Sequence, residues 1–180
     1  MKIHIFGASG SGQTTLGKAL AKKLKVTYFD CDDYFWEKTT VPFTVRRDPE
    51  IRNTLLLNDL SAHTSWVIGG SMTKWGLQPE KIFNLAVFLY VPHNVRMERL
   101  KAREIERFGD SIFKERAELY KKFMDWASGY DDNTASGRTL SAHQNWIKQL
   151  NCEVLEINGD TTLSNRLQLI IAALTKTHHL

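Results

Sequence analysis

Apolar positions along this chain fall into short runs of strand character separated by longer stretches at helical spacing. Lys2-Ile3-His4-Ile5-Phe6 alternates and then breaks at Gly7, which predicts a short strand ending in a loop. From Thr14 onward Leu16, Ala19, Leu20 and Leu24 recur on one helical face while Lys18, Lys22 and Lys23 occupy the other, which predicts an amphipathic helix. Further strands are expected at Val26–Asp30, Ser65–Gly69, Leu85–Val91 and Glu153–Ile157. The run from Leu85 to Val91 is apolar throughout, as a central parallel strand covered on both faces should be. Strand, glycine loop and helix therefore open an α/β chain, for which a three-layer fold with a five-stranded parallel sheet is expected.

Between the fourth and fifth strands lie about sixty residues with helical patterning over His93–Phe108, Ile112–Ala127 and Thr139–Leu150, punctuated by Gly109, Gly129 and Gly137. That is too long for a simple crossover. It reads either as a lid over a ligand, spanning about 108–150, or as extra helices packed on the sheet, since Phe113, Tyr120, Phe123 and Trp126 suit both. A last helix after Gly159-Asp160 carries Leu163, Leu167, Ile170, Ile171 and Leu174. No repeat or linker divides the chain, so a single domain over 1–180 is expected.

Composition narrows the class. With 180 residues, 42% of them hydrophobic, the chain can bury a core without metal or disulfide support. Its two cysteines, Cys31 and Cys152, form no C-x-x-C pair, the six histidines show no metal-ligand spacing, and a reducing cytoplasmic setting is expected. The longest apolar stretch, Ile82 to Pro92, is too short to cross a bilayer, and no membrane partner is expected. The net charge of +4 is mild and its basic residues are scattered among acidic ones, so no nucleic-acid partner is expected.

Gly7-Ala8-Ser9-Gly10-Ser11-Gly12-Gln13-Thr14-Thr15 fits the pattern G-x-x-x-x-G-K-[ST] except that Gln13 replaces the lysine. Glycines at these positions let successive backbone N–H groups point inward, and the helix that follows adds its positive end, so the loop suits a polyphosphate. A Thr14 hydroxyl in this position would meet Mg²⁺. Glutamine offers only an uncharged amide, so another cation must supply the missing charge or turnover will be weak.

The chain resembles the adenylate-kinase-like and shikimate-kinase-like branch of the P-loop nucleoside and small-molecule kinases. The likeness rests on this loop, on Asp30-Cys31-Asp32-Asp33 after the second strand, on Gly69-Gly70 after the third, on the arginine-rich helix after the fourth and on Asn158-Gly159-Asp160 after the fifth. The resemblance implies ATP and Mg²⁺ as ligands, with Gly7, Ser9, Gly10, Ser11, Gly12, Gln13, Thr14 and Thr15 around the phosphates. It implies a small-molecule phosphate acceptor: a nucleotide, nucleoside or comparable metabolite. Asp32 is the expected acid that orients the acceptor or joins Thr14 at the metal, with Asp33 beside the substrate. Arg99 and Arg103, on one face of the helix after strand four, are expected to neutralise the transferred phosphoryl group, and Arg46, Arg47 and Gly70 to contact the acceptor. A solvated acidic turn and a solvated charged helix remain open for these carboxylates and arginines. The competing expectation for the whole chain is a nucleotide-binding sensor in which Gln13 marks lost catalysis.

Overall fold

The structure, a computed structural model, describes residues 1–77 and 82–177, so His178 and His179 lie outside the described residues. Five parallel strands, β1 (Lys2–Gly7), β2 (Thr27–Asp30), β3 (Trp66–Gly69), β4 (Leu85–Tyr90) and β5 (Glu153–Asn158), form one sheet in the order β2-β3-β1-β4-β5. The helices between them are α1 (Gln13–Leu24), α2 (Cys31–Phe35), α3 (Pro49–Ser61), α4 (His93–Phe108), α5 (Ala117–Ser128), α6 (Leu140–Gln149) and α7 (Leu163–Thr177). This is the expected α/β three-layer fold.

The strand alternation builds two cores. Ile3, Ile5, Val67, Leu85, Val87 and Leu89 face one way and pack with Leu16 and Leu20 of α1 and Ile170 and Leu174 of α7. Phe6, Trp66, Ile68, Ala86 and Phe88 face the other and pack with Leu56 and Leu60 of α3 and Trp146 of α6. Each buried side chain of this size contributes roughly 1.5–3 kcal/mol, so both faces of β1 and β4 are fixed by burial. His4, polar in the alternation of β1, is not on a wet face. It is fully buried, donates from Nε2 to the Gly70 carbonyl at 2.8 Å, and stacks between Phe6 and Phe83.

Strand order places the candidate chemistry. β1 is central, its chain leaves through α1 to the edge strand β2 and returns through β3, and β4 then lies on the opposite side of β1. The reversal beside β1 is the point where open α/β sheets bind ligands, at the carboxyl ends of the strands.

The expected helix over Ile112–Ala127 is broken. Gly109, at φ 54°, stops α4, a 3-10 turn covers Gly109–Phe113, and the Ser111 carbonyl accepts from both Lys114 and Arg116 before α5 starts at Ala117. Arg116 lies over the Phe108 ring at 3.9 Å, which holds the two helices around this corner.

Candidate active site

The loop after β1 has the backbone that its glycines predict. Gly10 and Gly12 sit at φ 81° and 89°, in the left-handed region where a β-carbon is strained, and the Ser11 amide donates to the Ala8 carbonyl at 3.1 Å. A β-carbon on Gly10 would also stand 2.8 Å from the Arg96 carbonyl, so α4 is packed directly against the loop. Gly12 is the N-cap of α1, whose first residue is Gln13, and Gln13 Oε1 is buried with no hydrogen-bond partner among the described residues. Loop and helix terminus together present backbone donors to one side, as an anion requires.

Thr14 points to the end of β2. Its Oγ1 donates to Asp30 Oδ2 at 3.2 Å, and Tyr28 Oη donates to the same oxygen at 3.1 Å. Asp30 Oδ1 accepts from the Asp32 amide and so caps α2. The acid adjacent to Thr14 is therefore Asp30, two residues before Asp32: the cap that starts α2 turns the chain, and the side chain of Asp32 projects from a different place. A threonine hydroxyl and one carboxylate suit Mg²⁺, which takes few protein ligands and fills its shell with phosphate oxygens and water.

Asp32 and Asp33 line a cleft of about 1150 Å³ that also takes in Ser9, Gly12, Gln13, Thr14 and Thr15. Asp32 opens into it, but surrounding protein raises its carboxyl above the usual carboxylate range. Arg138 and Arg103 pull it down, while Asp30 and Asp33 push it further up.

The arginines divide. Arg103 is in the cleft, hydrogen-bonded to Glu104 at 3.2 Å, with burial and Arg107 lowering its pKa. Arg99 also lines the cleft but pairs with Asp160 in the loop after β5, a carboxylate from outside α4. Arg46 reaches the cleft and lies over Phe35 at 5.7 Å. Arg47 instead folds back onto Glu37 at 3.2 Å and onto the carbonyls of Asp33 and Trp36, bracing its own loop. Gly70, at φ 117°, donates its amide to Ile5 and its carbonyl is held by His4. A β-carbon there would meet Cys31 Cβ at 2.5 Å, so this turn is packed against the start of α2.

Three further arginines meet the cleft with no signal in the sequence. Arg138 Nη1 donates to Ser9 Oγ at 3.2 Å and the guanidinium lies over Trp126 at 5.7 Å. Arg52, buried, stacks on Trp75 at 4.0 Å and donates to its carbonyl. Arg166 of α7 donates to the Ser11 carbonyl at 2.7 Å. Each is isolated in sequence from the motif it touches, and no periodicity distinguishes it from a surface arginine.

The chain is similar to known proteins in sequence and in fold. A family profile described as "AAA domain" matches residues 3–121. The chain belongs to that family, a P-loop family of the kinase type. Over 171 residues and 94% of each chain it is 37% identical to a Bacillus subtilis (strain 168) protein described as "Uncharacterized protein YqaC". It is 30% identical over 110 residues to shikimate kinase of Acinetobacter baumannii (strain AYE), which covers 54% of this chain and 59% of that enzyme. Among solved structures, deoxyadenosine kinase from M. mycoides with bound dATP superposes with a TM-score of 0.56 at 14% identity, over 97% of this chain and 100% of the other. That last likeness is one of fold.

Proposed function

We propose that this protein transfers the γ-phosphoryl group of ATP to a small acceptor, a nucleotide, nucleoside or comparable metabolite. The observation that carries the reading is the convergence on one cleft of the left-handed glycine loop, the Thr14–Asp30 pair at its mouth, and Asp32 beside Arg103 and Arg138. Loop amides from Ser9 to Thr15 bind and orient the phosphates, with Thr15 toward the α-phosphate. Thr14 and Asp30 would hold Mg²⁺, which screens phosphate charge when bound. Asp32 accepts the proton of the acceptor hydroxyl as it attacks, a task for which a raised pKa brings the carboxylate nearer to working pH. Arg99, Arg103 and Arg138 stabilise charge that develops on the transferred group. Residues 108–150 form the lid, whose Tyr120, Phe123 and Trp126 line the cleft and would exclude water on closure. Arg46, Asp33 and the Gly70 turn border the acceptor, while Arg47 contributes by holding the Asp33 backbone.

A transfer assay with radiolabelled ATP against a panel of nucleosides, nucleotides and hydroxy acids tests this. Labelled product from one class, absent in D32N, is expected. Mg²⁺-dependent ATP binding with no transfer to any class would favour the sensor reading, to which Gln13 in the lysine position gives its support. Under that reading Q13K creates a transfer activity that the wild type lacks.

A further inference from the structure

The lysine position of the loop is neutral, yet a cation sits at the Ser11 carbonyl of the loop, on the wall of the same cleft. Arg166 is 4% exposed, and its guanidinium is fixed by three acceptors: Nη1 to the Ser11 carbonyl at 2.7 Å, Nε to Thr161 Oγ1 at 3.0 Å, and Nη2 to the Gly159 carbonyl at 3.5 Å. All three acceptors are uncharged. The nearby acid, Asp160, is already paired with Arg99, so Arg99, Asp160 and Arg166 together carry one surplus positive charge. Arg96 is the informative contrast. It too is buried and reaches the loop, donating to the Ser9 carbonyl at 3.3 Å, but Asp131 pairs with it and cancels its charge.

A buried, hydrogen-bonded cation without a carboxylate is costly unless an anion completes it. The peptide geometry states where that anion lies. Across a trans peptide, C=O and N–H point in opposite directions, so the Ser11 carbonyl held by Arg166 sends the Gly12 N–H to the other side of the loop. A positive charge on the carbonyl side polarises the peptide and strengthens the N–H as a donor. Gly12 also makes the approach possible, because a β-carbon there would sit 3.2 Å from Arg166 Nη1.

We infer that Arg166 is a positioning residue that replaces the missing P-loop lysine, supplying through the Ser11–Gly12 peptide the positive charge that Gln13 does not. The inference rests on the phosphate-binding reading of the loop and adds to it a division of labour between α1, which gives amides, and α7, which gives charge.

Calorimetric titration of wild type, R166M, Q13K and R166M/Q13K with Mg-ATP and with magnesium tripolyphosphate, at low and high ionic strength, tests it. R166M is expected to weaken both probes by about tenfold and to flatten the salt dependence. Q13K should restore both in the double variant, while changing wild-type binding much less. A merely structural arginine would not be rescued by a cation on another element. Equal binding by R166M and wild type, loss for ATP but not for tripolyphosphate, or loss that Q13K does not repair each overturns the inference. Wild type that binds neither probe overturns the phosphate-loop reading itself. If R166M does not fold, R166K carries the test: it keeps charge without the fork and should stay within a few-fold of wild type in affinity. A tenfold loss in R166K without rescue by Q13K would contradict the role.

Discussion

At the residue scale, the two carboxylates at the end of β2 separate by what touches them. Asp30 accepts from Thr14, Tyr28 and the Asp32 amide, whereas Asp32 opens into the cleft, where partial desolvation by the cleft walls and the neighbouring Asp30 and Asp33 raise its pKa against the pull of Arg138 and Arg103. For an acid, a folded pKa above the unfolded one means that the native state holds the extra proton between the two values, so stability falls as pH rises through that window. D32N should therefore abolish transfer without lowering the thermal midpoint, read by calorimetry at pH 7. In the wild type, the acid limb of the kcat/KM profile should lie above the ordinary carboxylate range, because the base must be ionised. D30N should behave differently, weakening Mg²⁺ dependence of ATP binding more than D32N does. From the sequence, D-x-D-D at a strand end was legible as a cluster, but not the order of roles within it. Which oxygen meets Thr14 depends on the α2 cap, a detail of backbone direction that residue types do not encode.

At the element scale, α4 and the loop after β1 are one packed unit. Gly10 meets the Arg96 carbonyl, and Arg96 donates back to Ser9. G10A places a β-carbon in left-handed backbone and against that carbonyl, and should cost about 1 to 3 kcal/mol, measured by urea unfolding, together with weaker ATP binding. Burial periodicity made β1, α1, β4 and α4 readable, since each has a face that must leave water. α5 was not bounded correctly because its start is set by Gly109, Ser111 and the Arg116–Phe108 stack, contacts between side chain and backbone that hydrophobic spacing does not report. Arg138 and Arg166 were invisible for the same kind of reason: their partners, Ser9 and Ser11, lie more than a hundred residues away in the chain.

For the whole molecule, the sheet order brings the loop after β1 and Asp30 at the end of β2 to the carboxyl ends of the strands, and among the described residues no helix is long and apolar enough to cross a membrane. The price of the arrangement is two buried histidines. Burial takes His4 down to about 4, and lowers His143 well below its usual value with Arg138 and His4 adding to the effect. Both stay neutral when folded but protonate readily when unfolded, so the unfolded state gains protons as pH drops below 6.5, and stability present above that pH is lost on the way down. For His4 the loss approaches about 3 kcal/mol between pH 6.5 and about 4, and H4Q should flatten urea midpoints across that window. The central claim is that a loop with glutamine in place of lysine holds a triphosphate, and calorimetric titration of the wild-type protein with ATP, with and without Mg²⁺, tests it most directly. Micromolar binding that depends on Mg²⁺ is the predicted result. No heat of binding up to millimolar ATP would contradict it, and with it both the transferase and the sensor readings.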